Sequence, residues 1–208
     1  MKKNILAIIL SVCFIIISCM TTQQFKIVSL SDKFSDPSKP QGFAGVNNRL
    51  STKSSIGGII ADDKGVYLDP FVHKDRNTND IINIGFFISH ITMEPDRGFR
   101  PIKEIIFITD NNDRVLLIPE SHDSDYDIGT WKSISRSYLG SYTEECICLI
   151  PKSDFYKISH SSYLEVKIVG GKLTQTYNKK DVLPSFTKNL KTFYDAQIKQ
   201  KATNLKLK

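Results

Sequence analysis

The sequence predicts a mainly β protein: an antiparallel β-sandwich with one C-terminal α-helix. Short apolar runs between turn-forming residues extend from about residue 43 to residue 177, without the alternation typical of βαβ folds. In 81–93, apolar and polar residues alternate, which indicates a strand with one buried face. That face is predicted to carry Ile82, Ile84, Phe86 and Ile88. An eight-stranded barrel fits the same pattern, because periodicity does not separate a closed sheet from two facing sheets.

Turn residues define further strand pairs. Asp110-Asn111-Asn112-Asp113 consists of residue types that tolerate left-handed backbone and favour a hairpin turn. Gly170-Gly171 and Asp62-Asp63-Lys64-Gly65 offer similar turns. The predicted strand pairs around these turns are 102–109 with 114–118, 164–168 with 173–177, and 58–61 with 66–72.

The C-terminal region has the spacing of an amphipathic helix that packs on the sheet. Pro184 suits its first turn, and Asn178 with Asp181 forms a capping pair just before it. The apolar residues at helical spacing are Phe186, Leu190, Phe193, Tyr194 and Ile198.

Two cysteines lie in the predicted strand 145–150. Cys146 and Cys148 share one face of this strand. Neighbouring residues of one strand face are strained disulfide partners, and no nearby His or Cys completes a zinc site. We therefore expect two small apolar side chains in the core.

The N-terminus has the form of an export signal. Lys2 and Lys3 precede an apolar run, 5–17, that is too short to span a bilayer, since a spanning helix needs about 20 residues. The following Ile16-Ile17-Ser18-Cys19 resembles the lipobox of bacterial lipoproteins, with Ile in place of the more usual Leu. This resemblance implies cleavage after Ser18 and acyl chains on Cys19 that anchor the protein.

The resemblance also divides the chain and gives its location. We expect a signal peptide at 1–18, a lipidated N-terminus and tether at 19–42, the β-sandwich with its helix at 43–200, and a basic tail at 201–208. Met20 is not the Asp that retains enteric lipoproteins at the inner membrane, which favours the outer membrane. The composition, rich in Lys, Ile and Asn, is similar to that of small lipoproteins of spirochaetes and other AT-rich bacteria.

Charge gives little indication of a partner. The formal charge of +6 falls to +4 once Lys2 and Lys3 leave with the signal peptide. The sequence lacks the interleaved aromatic and basic residues of single-strand binders, so no nucleic-acid partner is predicted. We expect the membrane, through the lipid anchor, and a further protein of the envelope or of the outside medium as partners.

One acidic segment is a weak candidate for a metal site. Asp123-Ser124-Asp125-Tyr126-Asp127 resembles the opening of an EF-hand calcium loop. It departs from that family at Ile128 and Ile134, where a Gly and a bidentate Glu belong. We expect a solvated acidic loop; the alternative is a calcium or hydrolytic site that also uses His122 and Glu120.

A second segment suggests recognition. Residues 94–101 join two strong strands with a dense mixture of charge and rings, which is typical of a binding loop on a rigid scaffold. The candidate binding residues are Arg97, Phe99, Arg100 and the single tryptophan, Trp131, with Tyr138 and Tyr142 downstream of it.

No nucleophile with its base and no cofactor motif is recognisable, and His90 falls on the apolar face of its strand. The sequence therefore predicts a non-enzymatic, lipid-anchored binding or structural module without a cofactor. The alternatives are a carrier with an apolar cavity beneath the 82–88 strand, and the calcium-dependent or hydrolytic protein.

Overall fold

A computed structural model describes residues 24–31, 36, 38–51, 65–92, 98–132 and 137–199, with backbone alone at 126–132 and 137–141. The predicted signal peptide at 1–18, Cys19, Arg97 and the basic tail at 201–208 lie outside these residues, and so does the predicted strand at 58–61. In the described part of the chain, no helix has the length and apolar character needed to cross a membrane.

The described chain is mainly β. Its strands are β1 (Lys26–Ser29), β2 (Gln41–Val46), β3 (Gly65–Lys74), β4 (Ile81–Thr92), β5 (Ile102–Thr109), β6 (Arg114–Leu117), β7 (Ser121–Lys132), β8 (Ser137–Leu149), β9 (Leu164–Gly170) and β10 (Thr174–Tyr177). The helices are α1 (Lys152–His160) and α2 (Pro184–Phe193), which continues as a π-helical turn at Tyr194–Ile198.

The strands form two antiparallel sheets. Six pair in the order β1-β2-β3-β4-β8-β7, and four in the order β10-β9-β5-β6. The predicted sandwich-like fold is confirmed, and these strands do not join into one closed barrel. The predicted hairpins β5–β6 and β9–β10 pair as expected. β1 pairs with β2 at one edge of the larger sheet. Its residues lie within 19–42, the range that was predicted to be the tether.

β4 lies in the middle of the core, with one exception to its predicted face. Ile84, Phe86 and Ile88 are buried, whereas Ile82 is 53% exposed. The prediction for Ile82 is wrong because a bulge interrupts the pairing with β3: His73 pairs with Asn83, but Lys74 pairs with Ile81. The extra residue shifts the alternation by one, which turns Ile82 to the solvent.

The space beneath β4 is filled by side chains from the other sheet and the helices. The ring of Phe86 stacks on Phe107 of β5 at 6.3 Å and on Phe155 of α1 at 5.4 Å, measured between centroids. The apolar residues predicted for the C-terminal helix join the same core: Phe186, Leu190, Phe193 and Ile198 are buried, and Tyr194 packs against them. The cavity that a carrier would need is therefore occupied at this place.

Helix α1 was not predicted, because only two apolar side chains, Phe155 and Ile158, reach the core from it. By contrast, α2 begins at Pro184 as expected. The proposed capping pair closes the preceding turn rather than the helix itself, because the N–H of Asn178 donates to Oδ2 of Asp181 (3.0 Å).

The two cysteines of β8 are free and buried, as predicted. They face inward, opposite Ile88 and Phe86 of β4. The neighbouring Cys146 and burial both raise the pKa of the Cys148 thiol. The Cys148 thiol therefore remains protonated, and both cysteines pack as small apolar groups.

Candidate functional site

A cleft of about 560 Å³ opens between the start of β5 and the outer two strands of the larger sheet. Its residues come from three segments that are far apart in the sequence. They are Arg100, Pro101 and Ile102 before and in β5, His122, Asp123 and Ser124 of β7, and Tyr142, Glu144 and Glu145 of β8.

Glu144 organises the cleft. The residue is 4% exposed, because β8 turns its side chain inward on the same face as Cys146. Oε2 accepts the N–H of Phe99 (2.6 Å), and Oε1 accepts the N–H of Arg100 (2.5 Å). Nδ1 of His90 lies 3.2 Å from Oε2. One carboxylate thus fixes the backbone of the loop that precedes β5.

These contacts also set the charge of Glu144. Burial raises the pKa of this carboxyl, but the hydrogen bonds from His90 and from the N–H groups of Arg100 and Phe99 outweigh burial and hold the pKa below its usual 4.5. Glu144 is therefore ionised at neutral pH and already makes contacts with His90 and with the N–H groups of Phe99 and Arg100. A carboxylate engaged in this way is a structural anchor rather than a general base.

Arg100 is the positively charged residue of the lining. Its backbone is left-handed (φ 48°), a conformation that a non-glycine residue holds only when its surroundings impose it. The guanidinium carbon lies 4.9 Å from the centroid of the Tyr142 ring. Nε is enclosed and has no hydrogen-bond acceptor within the described part of the chain. The guanidinium is thus stacked on one face and partly desolvated.

The β9–β10 turn supports the same loop from the other side. The N–H of Gly171 donates to the carbonyl of Pro101 (2.9 Å), and the N–H of Lys172 donates to that of Phe99 (2.8 Å). A Cβ atom at Gly171 would overlap the carbonyl oxygen of Arg100. The absence of a side chain there allows the two segments to approach closely.

The predicted recognition residues have different positions. Arg100 lines the cleft, whereas Phe99 is fully buried and its ring centroid lies 4.8 Å from that of His90. Phe99 is therefore a core residue and cannot contact a partner, because Glu144 draws its backbone inward. Trp131 pairs with Tyr138 in the β7–β8 ladder, but its side chain lies outside the described residues.

The acidic segment is a strand and not a loop. Asp123, Asp125 and Asp127 lie in β7, opposite Glu145, Thr143 and Ser141 of β8. Asp123 and Asp125 lie on the same face of this strand, because alternate residues of a strand point the same way. No group of three metal-ligating side chains occurs among the described residues. The side chain of Asp127 is not among those described.

The cleft has an excess of negative charge. Three of its lining residues are acidic (Asp123, Glu144 and Glu145), and one, Arg100, is basic. Asp123 and Glu145 stand directly opposite each other across two strands. Such a lining attracts cationic groups.

Arg100, Tyr142 and His122 are candidates that the sequence pattern identifies, whereas Glu144 is not among them. The alternation of inward and outward residues along β8 could have predicted the inward orientation of Glu144. Glu144 has the same parity as Cys146 and Cys148, which were expected in the core, so an inward-facing carboxylate could have been inferred. Its partners, 45 residues away at Phe99 and 54 away at His90, could not.

Comparison with known proteins gives no relative: no family model, no curated protein and no solved structure matches this chain.

Proposed function

We propose that this chain is a lipid-anchored protein of the cell envelope that binds another molecule through the cleft and catalyses no reaction. The observation that carries the proposal is the way in which Arg100 is held. Buried Glu144 binds the loop backbone, and Tyr142 stacks on the guanidinium. A strained residue fixed at an open cleft is typical of a preorganised binding site.

The proposed anchor comes from the sequence. The segment Ile16-Ile17-Ser18-Cys19 has the order and spacing of a lipobox, and it follows a short apolar run with two lysines before it. Two or three acyl chains on Cys19 would hold the domain at a membrane, because each buried methylene contributes about 0.8 kcal/mol.

The carrier and calcium alternatives have less support. Phe107 and Phe155 fill the place beneath β4 where an apolar cavity was expected. In β7, Asp123 and Asp125 are not joined by a third metal-ligating side chain within the described residues. The cleft, with its mixture of charged and aromatic groups, is a better candidate for recognition than either.

The test is site-specific photo-cross-linking in living cells. A cross-linker at Ser124, which lines the cleft, is expected to give an adduct that disappears in the Arg100→Ala variant. The matched control is a cross-linker at Lys167, which is exposed on the smaller sheet. Equal adducts at both positions, or an adduct that is unaffected by Arg100→Ala, would contradict the proposal.

The anchor is tested by fractionation. We expect the wild-type chain in the membrane fraction, labelled by a radioactive fatty acid, and we expect the Cys19→Ala variant to carry no label. A soluble wild-type protein, or one without label, would remove the anchor from the proposal.

A further inference from the structure

The guanidinium of Arg100 lines the cleft without an anion to balance its charge. Among the described residues, no carboxylate lies within ion-pair distance of it, and its Nε has no acceptor. The two oxygens of Glu144 bind the backbone N–H groups of Phe99 and Arg100 rather than the guanidinium. Arginine is always charged in proteins, and a partly desolvated charge is costly unless it is paired and hydrogen-bonded. An anionic ligand would therefore complete this site.

The guanidinium is also held in one orientation. Its carbon lies 4.9 Å from the centroid of the Tyr142 ring. The N–H groups of a guanidinium lie in its plane, so a ring against one face leaves them available at the edge. The loop backbone is fixed on one side by Glu144 and on the other by the N–H of Gly171, which donates to the carbonyl of Pro101. Little conformational freedom then remains to be lost when a ligand binds.

The residues of β7 that share the inner face of the larger sheet carry no negative charge. His122 and Ser124 lie directly opposite Cys146 and Glu144, and both of these face inward. The side chains of His122 and Ser124 are exposed at the edge of the sheet and line the cleft. They offer an imidazole and a hydroxyl as further hydrogen-bonding groups for a ligand.

The acidic residues of the lining restrict the charge of the ligand. Glu144 faces inward and is engaged by the loop. Asp123 and Glu145 have the alternate position in their strands, so their side chains belong to the outer face, at the rim of the cleft. A phosphate group carries about −1.5 to −2 charges at neutral pH and would be repelled by this rim. A single negative charge is repelled less, and a positive group on the same ligand would be attracted.

We propose that the cleft binds a short peptide through one carboxylate, which pairs with the guanidinium of Arg100, and that the peptide also carries a positive charge. The inference rests on the proposed binding function and specifies the ligand. The two oxygens of a carboxylate match the planar fork of a guanidinium. The volume of about 560 Å³ lies within the range of roughly 300–1,000 Å³ that is usual for ligand sites. The carboxylate is either the C-terminus of the peptide or an acidic side chain.

The experiment is isothermal titration calorimetry with the lipidated chain in a neutral detergent. Three tripeptides are titrated: Lys-Ala-Ala with a free C-terminus, Lys-Ala-Ala with a C-terminal amide, and Lys-Ala-Glu with a C-terminal amide. The first carries its carboxylate on the main chain, the third carries it on a side chain, and the second has none. Inorganic phosphate is the fourth ligand and represents a multiply charged anion.

We expect at least one carboxylate peptide to bind about tenfold to a hundredfold more tightly than Lys-Ala-Ala amide, the range for hydrogen bonds to a charged group. The peptide that binds identifies the source of the carboxylate. Phosphate should bind more weakly than that peptide. These comparisons use the wild-type chain, so they do not depend on the folding of any variant.

Variants of Arg100 test the pairing itself. Arg100→Ala should remove the preference for a carboxylate, and Arg100→Lys should keep only part of it, because an ammonium lacks the planar fork. The matched control is Arg114→Ala, which removes an exposed guanidinium from β6 of the smaller sheet and should leave every affinity unchanged. A preference for a carboxylate that persists in Arg100→Ala would overturn the inference.

Three results with the wild-type chain would also overturn it. They are equal binding of the peptides with and without a carboxylate, tighter binding of phosphate, and no binding of either carboxylate peptide up to about 1 mM. The proposed function has its own readout in the cross-linker at Ser124. An adduct that depends on Arg100, together with no preference for a carboxylate, refutes this inference alone, whereas the absence of an adduct in the wild type refutes the proposed function.

Discussion

The contribution of Glu144 to stability can be predicted from its contacts. Glu144→Gln keeps the size of the side chain but leaves one oxygen in place of two, so one of the N–H groups of Phe99 and Arg100 loses its acceptor. A hydrogen bond to a charged group contributes roughly 1.5–3 kcal/mol, and a buried donor without a partner costs about 1–3 kcal/mol. We expect the free energy of unfolding to fall by about 2–4 kcal/mol.

The measurement is urea unfolding followed by circular dichroism at several pH values. The pKa of Glu144 is lowered by folding, so its ionised form stabilises the fold above the unfolded value of 4.5, and this contribution is lost as the pH falls below 4.5. The difference between wild type and variant should thus be full at pH 7 and shrink below pH 4.5. A loss under about 1 kcal/mol at pH 7, or a difference that grows in acid, would refute the assigned role.

Three further changes test the core and the sheet. Phe99→Ala should lower the free energy of unfolding by about 3–5 kcal/mol in the same assay, since it leaves a cavity in the core. An unchanged free energy of unfolding would contradict the placement of this ring in the core. Burial, partly offset by the N–H groups of Asn48 and Asn47, raises the pKa of Asp69 to about 6. The neutral form of Asp69 therefore stabilises the fold, and this contribution is lost as the pH rises through 6. The Asp69→Asn variant should be more stable than wild type by about 1–3 kcal/mol at pH 7.5, because it buries no charge. Below about pH 4 it should be no more stable than wild type. Gly85→Ala should lower the melting temperature measured by circular dichroism, because the new Cβ atom would lie 2.6 Å from the Phe71 ring; an unchanged melting temperature would contradict the close packing there.

The sequence predicted the elements that depend on local spacing. Alternation revealed β4, and the Asp110–Asp113 turn revealed the β5–β6 hairpin. The exposure of Ile82 escaped prediction because it depends on a bulge opposite His73, which only the pairing of two strands determines. Helix α1 escaped because its nine residues place two apolar side chains in the core, too few for a clear helical period.

The site was less predictable than the fold, because its geometry depends on distant partners. The sequence identified Arg100 but assigned Phe99 to the surface, since nothing near Phe99 shows that a carboxylate 45 residues away binds its N–H. The aspartates of β7 were assigned to a loop because their alternation resembles the opening of a calcium loop, and Asp is in general depleted in strands. On an edge strand that rule is weaker, since one face and one edge meet solvent and charge prevents unwanted pairing.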